Sequence, residues 1–70
     1  MEHIEFNLNA EYIELAKLLK LLRIAESGGQ AKLMIENGEV TRNGQQELRK
    51  RAKIRKHDVL EIFNLEIFVQ

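Results

Sequence analysis

Eight consecutive residues carry the densest chemical signal in the chain. Arg49-Lys50-Arg51-Ala52-Lys53-Ile54-Arg55-Lys56 holds six bases and no acid. Guanidinium forks bridge phosphate oxygens in pairs and ammonium groups add point charge, so such a run is suited to a polyanion. The same composition also suits a solvated strand edge, where lysine discourages aggregation. A second anion-binding candidate is Ser27-Gly28-Gly29. A serine cap followed by two residues without side chains leaves backbone N–H groups open at the positive end of a helix dipole. Its structural alternative is an ordinary capped turn between two helices. Lys20 and Lys32 flank that corner and add charge to it, unless they only face solvent.

No catalytic constellation accompanies these residues. His3 and His57 are the only histidines, and His57-Asp58 has no nucleophile tied to it by motif, so the pair reads as a turn. Glu36 and Glu39 beside Gly38 offer a weak cation site at most, and no phosphate-cradling loop with a lysine is present. With no cysteine, neither a disulfide nor a thiolate metal site is possible. The expectation is a non-enzymatic protein with no cofactor and no metal.

Seventy residues are the length of one domain with a modest core, here taken as residues 1–70. The 44% hydrophobic and 31% charged fractions are those of a globular chain rather than a disordered one. Net charge is zero, but it is unevenly spread: residues 1–38 hold six acids and four bases, and residues 39–70 five acids and seven bases. Local polarity of this kind steers binding more than the total does. The acidic start Met1-Glu2-His3-Ile4-Glu5 lacks a signal-peptide pattern, and no apolar run is long enough to span a membrane. A cytoplasmic location is expected.

The elements that must position these groups follow from periodicity. Ile4-Glu5-Phe6-Asn7-Leu8 alternates and predicts a strand. Asn9 is a candidate N-cap for a helix over about Ala10 to Leu22, with Tyr12, Leu15, Ala16, Leu19 and Leu22 as its buried stripe. Ser27 and Gln30 form a capping box for a second helix, which Asn37-Gly38 ends. A strand at Glu39–Arg42 then meets Asn43-Gly44, a strong hairpin signal, and an extended segment continues through the basic run. Two more alternating stretches, residues 59–63 and 65–69, flank a turn at Asn64. The fold expected is α+β, with two antiparallel helices packed on one face of a small, mostly antiparallel sheet.

Taken in order, Leu19-Lys20-Leu21, Ser27-Gly28-Gly29-Gln30-Ala31-Lys32, Ile35-x-x-Gly38-x-Val40-x-x-Asn43-Gly44 and Asp58-Val59-Leu60-Glu61-Ile62 resemble the S-four RNA-binding domain. This is the alpha-L motif named after ribosomal small-subunit protein four. The likeness covers about Tyr12 to Ile62 and is nearest to the stand-alone bacterial, YbcJ-like branch. Glu47-x-Arg49-Lys50-Arg51-x-Lys53-Ile54 is similar to that branch's basic segment. Two departures stand out. Gly28 occupies a position where many such domains have arginine, and His57 one where they have glycine. The second implies a positive φ at His57, a region histidine tolerates better than most residues.

The resemblance implies binding of structured RNA, ribosomal RNA among the candidates, by one face comprising Lys20, Ser27, Gly28, Gly29, Lys32, Arg49, Lys50, Arg51 and Lys53. In an extended run, Arg49, Arg51 and Lys53 share one side and Lys50 the other, so the first three rank higher. Tyr12, Phe6, Phe63 and Phe68 sit at apolar positions and read as core, leaving no stacking platform for single strands. The rival reading is a protein-interaction module whose basic segment docks an acidic partner.

Overall fold

The alternation at the start of the chain becomes strand β1, Glu2–Phe6, in the computed structural model, which describes residues 1–70. Ile4 and Phe6 pack against the core, while Glu2, His3 and Glu5 stay exposed. Leu8 lies beyond the strand but is buried, its N–H donating to the Gln70 carbonyl.

The helix expected from Ala10 starts five residues later. The chain instead runs through a two-residue strand β2, Ile13–Glu14, into helix α1, Leu15–Leu21. Asn9 caps nothing, and Glu14 at the cap position contributes no side-chain bond. The first helical N–H groups are satisfied from far along the chain: Leu15 donates to the Ala52 carbonyl and Ala16 to that of Lys50, both at 3.0 Å. Free helix ends need such partners, and a remote main chain supplies them here. The buried stripe moves accordingly. Leu15, Leu18 and Leu19 are fully buried, Ala16 and Leu22 are half-buried, and Tyr12 lies outside the helix.

Helix α1 ends on Arg23, which takes φ +60. Arg23 N–H donates to Lys20 O and Ile24 N–H to Leu19 O, the paired bonds of a Schellman turn. Helix α2, Gly28–Glu36, ends the same way at Gly38, φ +79, with Gly38 N–H on Ile35 O and Glu39 N–H on Met34 O. Its start matches the capping box in part: Ser27 Oγ accepts from Gln30 N–H at 3.1 Å, but the Gln30 side chain reaches back to Glu26 N–H rather than to Ser27.

Strands β3 (Val40–Arg42), β4 (Gln45–Gln46), β5 (Lys53–Ile54), β6 (Val59–Ile62) and β7 (Leu65–Val69) follow. The Asn43-Gly44 hairpin forms with positive φ at both residues, +53 and +86, as a type I′ turn requires. Phe63 takes φ +55 at the tip of the β6–β7 hairpin. The main sheet has the order β1-β7-β6-β3-β4; β1 and β7 are parallel and the other pairs antiparallel. A separate ribbon pairs β2 with β5, Ile13 opposite Ile54. Val40, Leu60, Ile62, Ile67 and Val69 from the sheet join Leu15, Leu18 and Leu19 of α1 and Ala31 and Ile35 of α2 in one buried cluster. The α+β expectation of two helices on a mostly antiparallel sheet therefore holds. No helix is long and apolar enough to cross a membrane.

Candidate nucleic-acid interface

The basic run is placed by its backbone. Residues 47–52 form a loop rather than a strand, which corrects the extended reading; regular pairing resumes only at β5. Three main-chain anchors hold this path. Lys50 and Ala52 carbonyls cap α1, and the Lys53 carbonyl accepts from Arg42 Nη2 at 2.7 Å. Alternation therefore no longer sorts Arg49 and Arg51 from Lys50.

Arg42 is the hub that sequence reasoning missed. Its Nε and Nη2 donate to Asp58 Oδ2 at 3.1 and 2.8 Å, and its Nη1 lies 3.7 Å from Glu47 Oε1. Asp58 also accepts from Arg55 N–H at 2.8 Å and from the Asn43 amide at 3.0 Å, while Asn43 Oδ1 takes Val59 N–H at 2.8 Å. The His57-Asp58 turn is thereby tied to the Asn43-Gly44 turn. Burial pushes the Asp58 carboxyl up, but the Arg55, Asn43 and Arg42 hydrogen bonds outweigh it and hold the group below its ordinary value. His57 takes φ +78, as its place in the motif implied, and its N–H donates to Val69 O.

The cations of the run differ in how far they are committed. Arg49 grips Glu47, the single buried charged residue, through Nε at 3.0 Å and Nη2 at 3.1 Å. The Arg49 hydrogen bond lowers the Glu47 carboxyl against the opposing effect of burial, and raises the guanidinium in turn. Arg51 Nε donates to Glu14 at 3.2 Å, and Arg55 lies 3.8 Å from Glu11. Lys50, Lys53 and Lys56 make no ion pair. Arg42, Arg49, Arg51 and Lys53 nevertheless line one open depression of about 300 Å³. Fork donors around a shared concavity can take an anion by exchanging an acid partner for a phosphate.

The inter-helix corner is a distinct feature. Ser27, Gly28 and Gly29 are exposed, and apart from adjacent residues and the helix's own backbone only Ser27 Oγ lies within 4 Å of where a Cβ would stand on either glycine. Lys20 and Lys32 are exposed too. Lys20 shares a depression of about 430 Å³ with Arg23, Ala25 and Glu26, separate from the one beside the basic loop. Arg23 is there because the Schellman turn places it there, a signal the sequence hides. The core reading of the aromatics holds for Phe6, which packs on the core, and is corrected for Tyr12 and Phe63. Tyr12 is 39% and Phe63 60% exposed, and Tyr12 lies against Lys53 and Arg55.

The family model of the S4 domain matches residues 6–70. YbcJ of Escherichia coli strain K12, provisionally named an RNA-binding protein, is 51% identical over 43 residues, 61% of this chain and 61% of that protein. YbcJ of Shigella flexneri matches to the same extent. The aligned stretch thus spans less than two thirds of either relative. The solution structure of YbcJ from E. coli, described as revealing an alpha-L motif involved in RNA binding, superposes with a TM-score of 0.65 at 33% identity. That superposition covers 97% of this chain and 87% of the other.

Proposed function

Because the chain belongs to the S4 domain family, we propose that it binds structured RNA without catalysis, with ribosomal RNA the foremost candidate, and works in the cytoplasm. One observation carries the reading: Arg42, Arg49, Arg51 and Lys53 surround a shared depression beside a loop whose path is held by bonds to its main chain. The description of the E. coli relative as RNA-binding supports it. Phosphates of a folded RNA exchange with Glu14 and Glu47 on the arginines and meet Lys50 and Lys53 directly. The Ser27-Gly28-Gly29 corner, with Lys20 and Lys32, offers a second strand of phosphates exposed N–H groups and lysine charge.

Each phosphate neutralised releases counterions, giving a slope of log affinity on log salt of roughly −0.7 to −0.9. Anisotropy titrations of a labelled RNA hairpin across a salt series test the assignment. Replacing Lys50, Arg51 and Lys53 together with glutamine is expected to shrink the slope by about two to three. Arg49 is spared because it pairs with buried Glu47. An unchanged slope removes the basic loop from the RNA surface. Preference for an acidic protein over RNA, lost in the same variant, moves the docking of an acidic partner ahead.

A further inference from the structure

The β2–β5 ribbon has two unlike faces. Ile54 is fully buried, and Ile13 opposite it packs on the core. Alternation then places Tyr12, Glu14, Lys53 and Arg55 on the outer side. Lys53 Nζ lies 5.0 Å and the Arg55 guanidinium carbon 5.7 Å from the Tyr12 ring centroid. These are cation–π distances. Beside the ring, Tyr12, Ile13, Glu14 and Lys17 line a depression of about 250 Å³.

A half-exposed aromatic ring set among cations matches two parts of one ligand, a flat base and the phosphates on either side of it. Aromatic rings stack on bases of any type, and neighbouring cations track the backbone. A base can meet the ring only when it is out of a helical stack, because paired bases lie inside the duplex.

We infer that the outer face of the β2–β5 ribbon holds an unpaired nucleotide of RNA, its base stacked on Tyr12 and its flanking phosphates on Lys53 and Arg55. The inference rests on the RNA-binding reading above and narrows it. The target is a folded RNA with a bulge, loop or free end next to the helical part that meets the basic loop.

Tyr12 is the only tyrosine and the chain has no tryptophan, so tyrosine emission reports this ring alone. Two RNAs of equal length serve as probes, one hairpin with a single-nucleotide bulge and one with a fully paired stem closed by the same short loop. The bulged RNA is expected to bind more tightly and to quench the emission more strongly. Tyr12→Leu should weaken bulged-RNA binding by roughly 5- to 150-fold, the range for losing one stacked base. It should leave the paired RNA bound as before, and Tyr12→Phe should match the wild type. Circular dichroism checks that both variants are folded. Equal affinity for the two RNAs, unaffected by Tyr12→Leu, overturns the nucleotide site while RNA binding stands. Equal weakening of both RNAs also overturns it, leaving Tyr12 as a residue that only positions Lys53 and Arg55. If the wild type binds neither RNA, the RNA-binding reading itself falls.

Discussion

Replacing Asp58 with alanine removes the acceptor on which three stretches of chain converge. Four hydrogen bonds are lost: two from the Arg42 guanidinium, one from Arg55 N–H and one from the Asn43 amide. Breaking a buried ion pair from one side costs about 3–5 kcal/mol. The pair is not fully enclosed, since the Arg42 and Asp58 side chains are 22% and 13% exposed. Arg42 also keeps the Lys53 carbonyl and its approach to Glu47. The expected cost is therefore about 2–3 kcal/mol. Typical stability for a chain this size is roughly 3.5–10 kcal/mol, so the loss is large. Urea and thermal melts followed by circular dichroism measure it, and Tm should fall by about 10–20 °C. The pH dependence gives a second handle. Asp58 and Glu47 have folded-state pKa values below their ordinary ones. Their contribution is complete above the unfolded carboxylate range of about 4 and is lost as pH falls through the folded values. The gap between wild type and Asp58→Ala should accordingly narrow in acid. A cost under about 0.5 kcal/mol, the level of an ordinary surface change, or a gap that does not vary with pH, would refute the reasoning.

Two further substitutions probe the turns and the corner. His57→Gly should be neutral or stabilise by up to about 1 kcal/mol, relief of the φ +78 backbone outweighing the added unfolded-state entropy; a clear loss in denaturant melts would contradict this. Ser27→Ala should cost about 1 kcal/mol through the lost bond to Gln30 N–H. Weaker RNA binding by that variant, measured well below its melting temperature, would give Ser27 an anion-holding part as well, and unchanged affinity only the cap.

Local chemistry made much of the fold legible. The capping serine, the glycine after α2 and the Asn43-Gly44 turn all act on their immediate neighbours, and sequence shows neighbours; the left-handed His57 was legible only through the resemblance, which has glycine there. Errors arose where a distant group decides. Asn9 is a good cap by type, yet α1 waits for carbonyls of Lys50 and Ala52. The basic run reads as an extended segment by continuity from the hairpin, but those same bonds and Arg42 hold residues 47–52 in a loop. Tyr12 fits a helical stripe only if the helix starts early; once the chain is extended there, the ring turns outward to Lys53 and Arg55. Of the candidate site, the cations were visible as residue types. Their acid partners Glu47 and Glu14, and Arg42 at the centre, were not, since ion pairs close in space.

The parallel pairing of β1 with β7 sets an order of events during synthesis. Among the strands of the sheet, β1 has β7 as its sole neighbour, and β7 lies between β1 and β6. The strand translated first thus waits for the one translated last, and Ile4 and Phe6 stay uncovered on the nascent chain until Leu65–Val69 clear the ribosome exit. Closing so long a stretch of chain is entropically slow compared with forming a helix or hairpin. The second helix and the Asn43-Gly44 hairpin can form early, but the sheet is completed only after β7 has emerged. A stalled or shortened product lacking β7 would carry β1 as an unpaired apolar edge, the kind of surface that chaperones and proteases recognise.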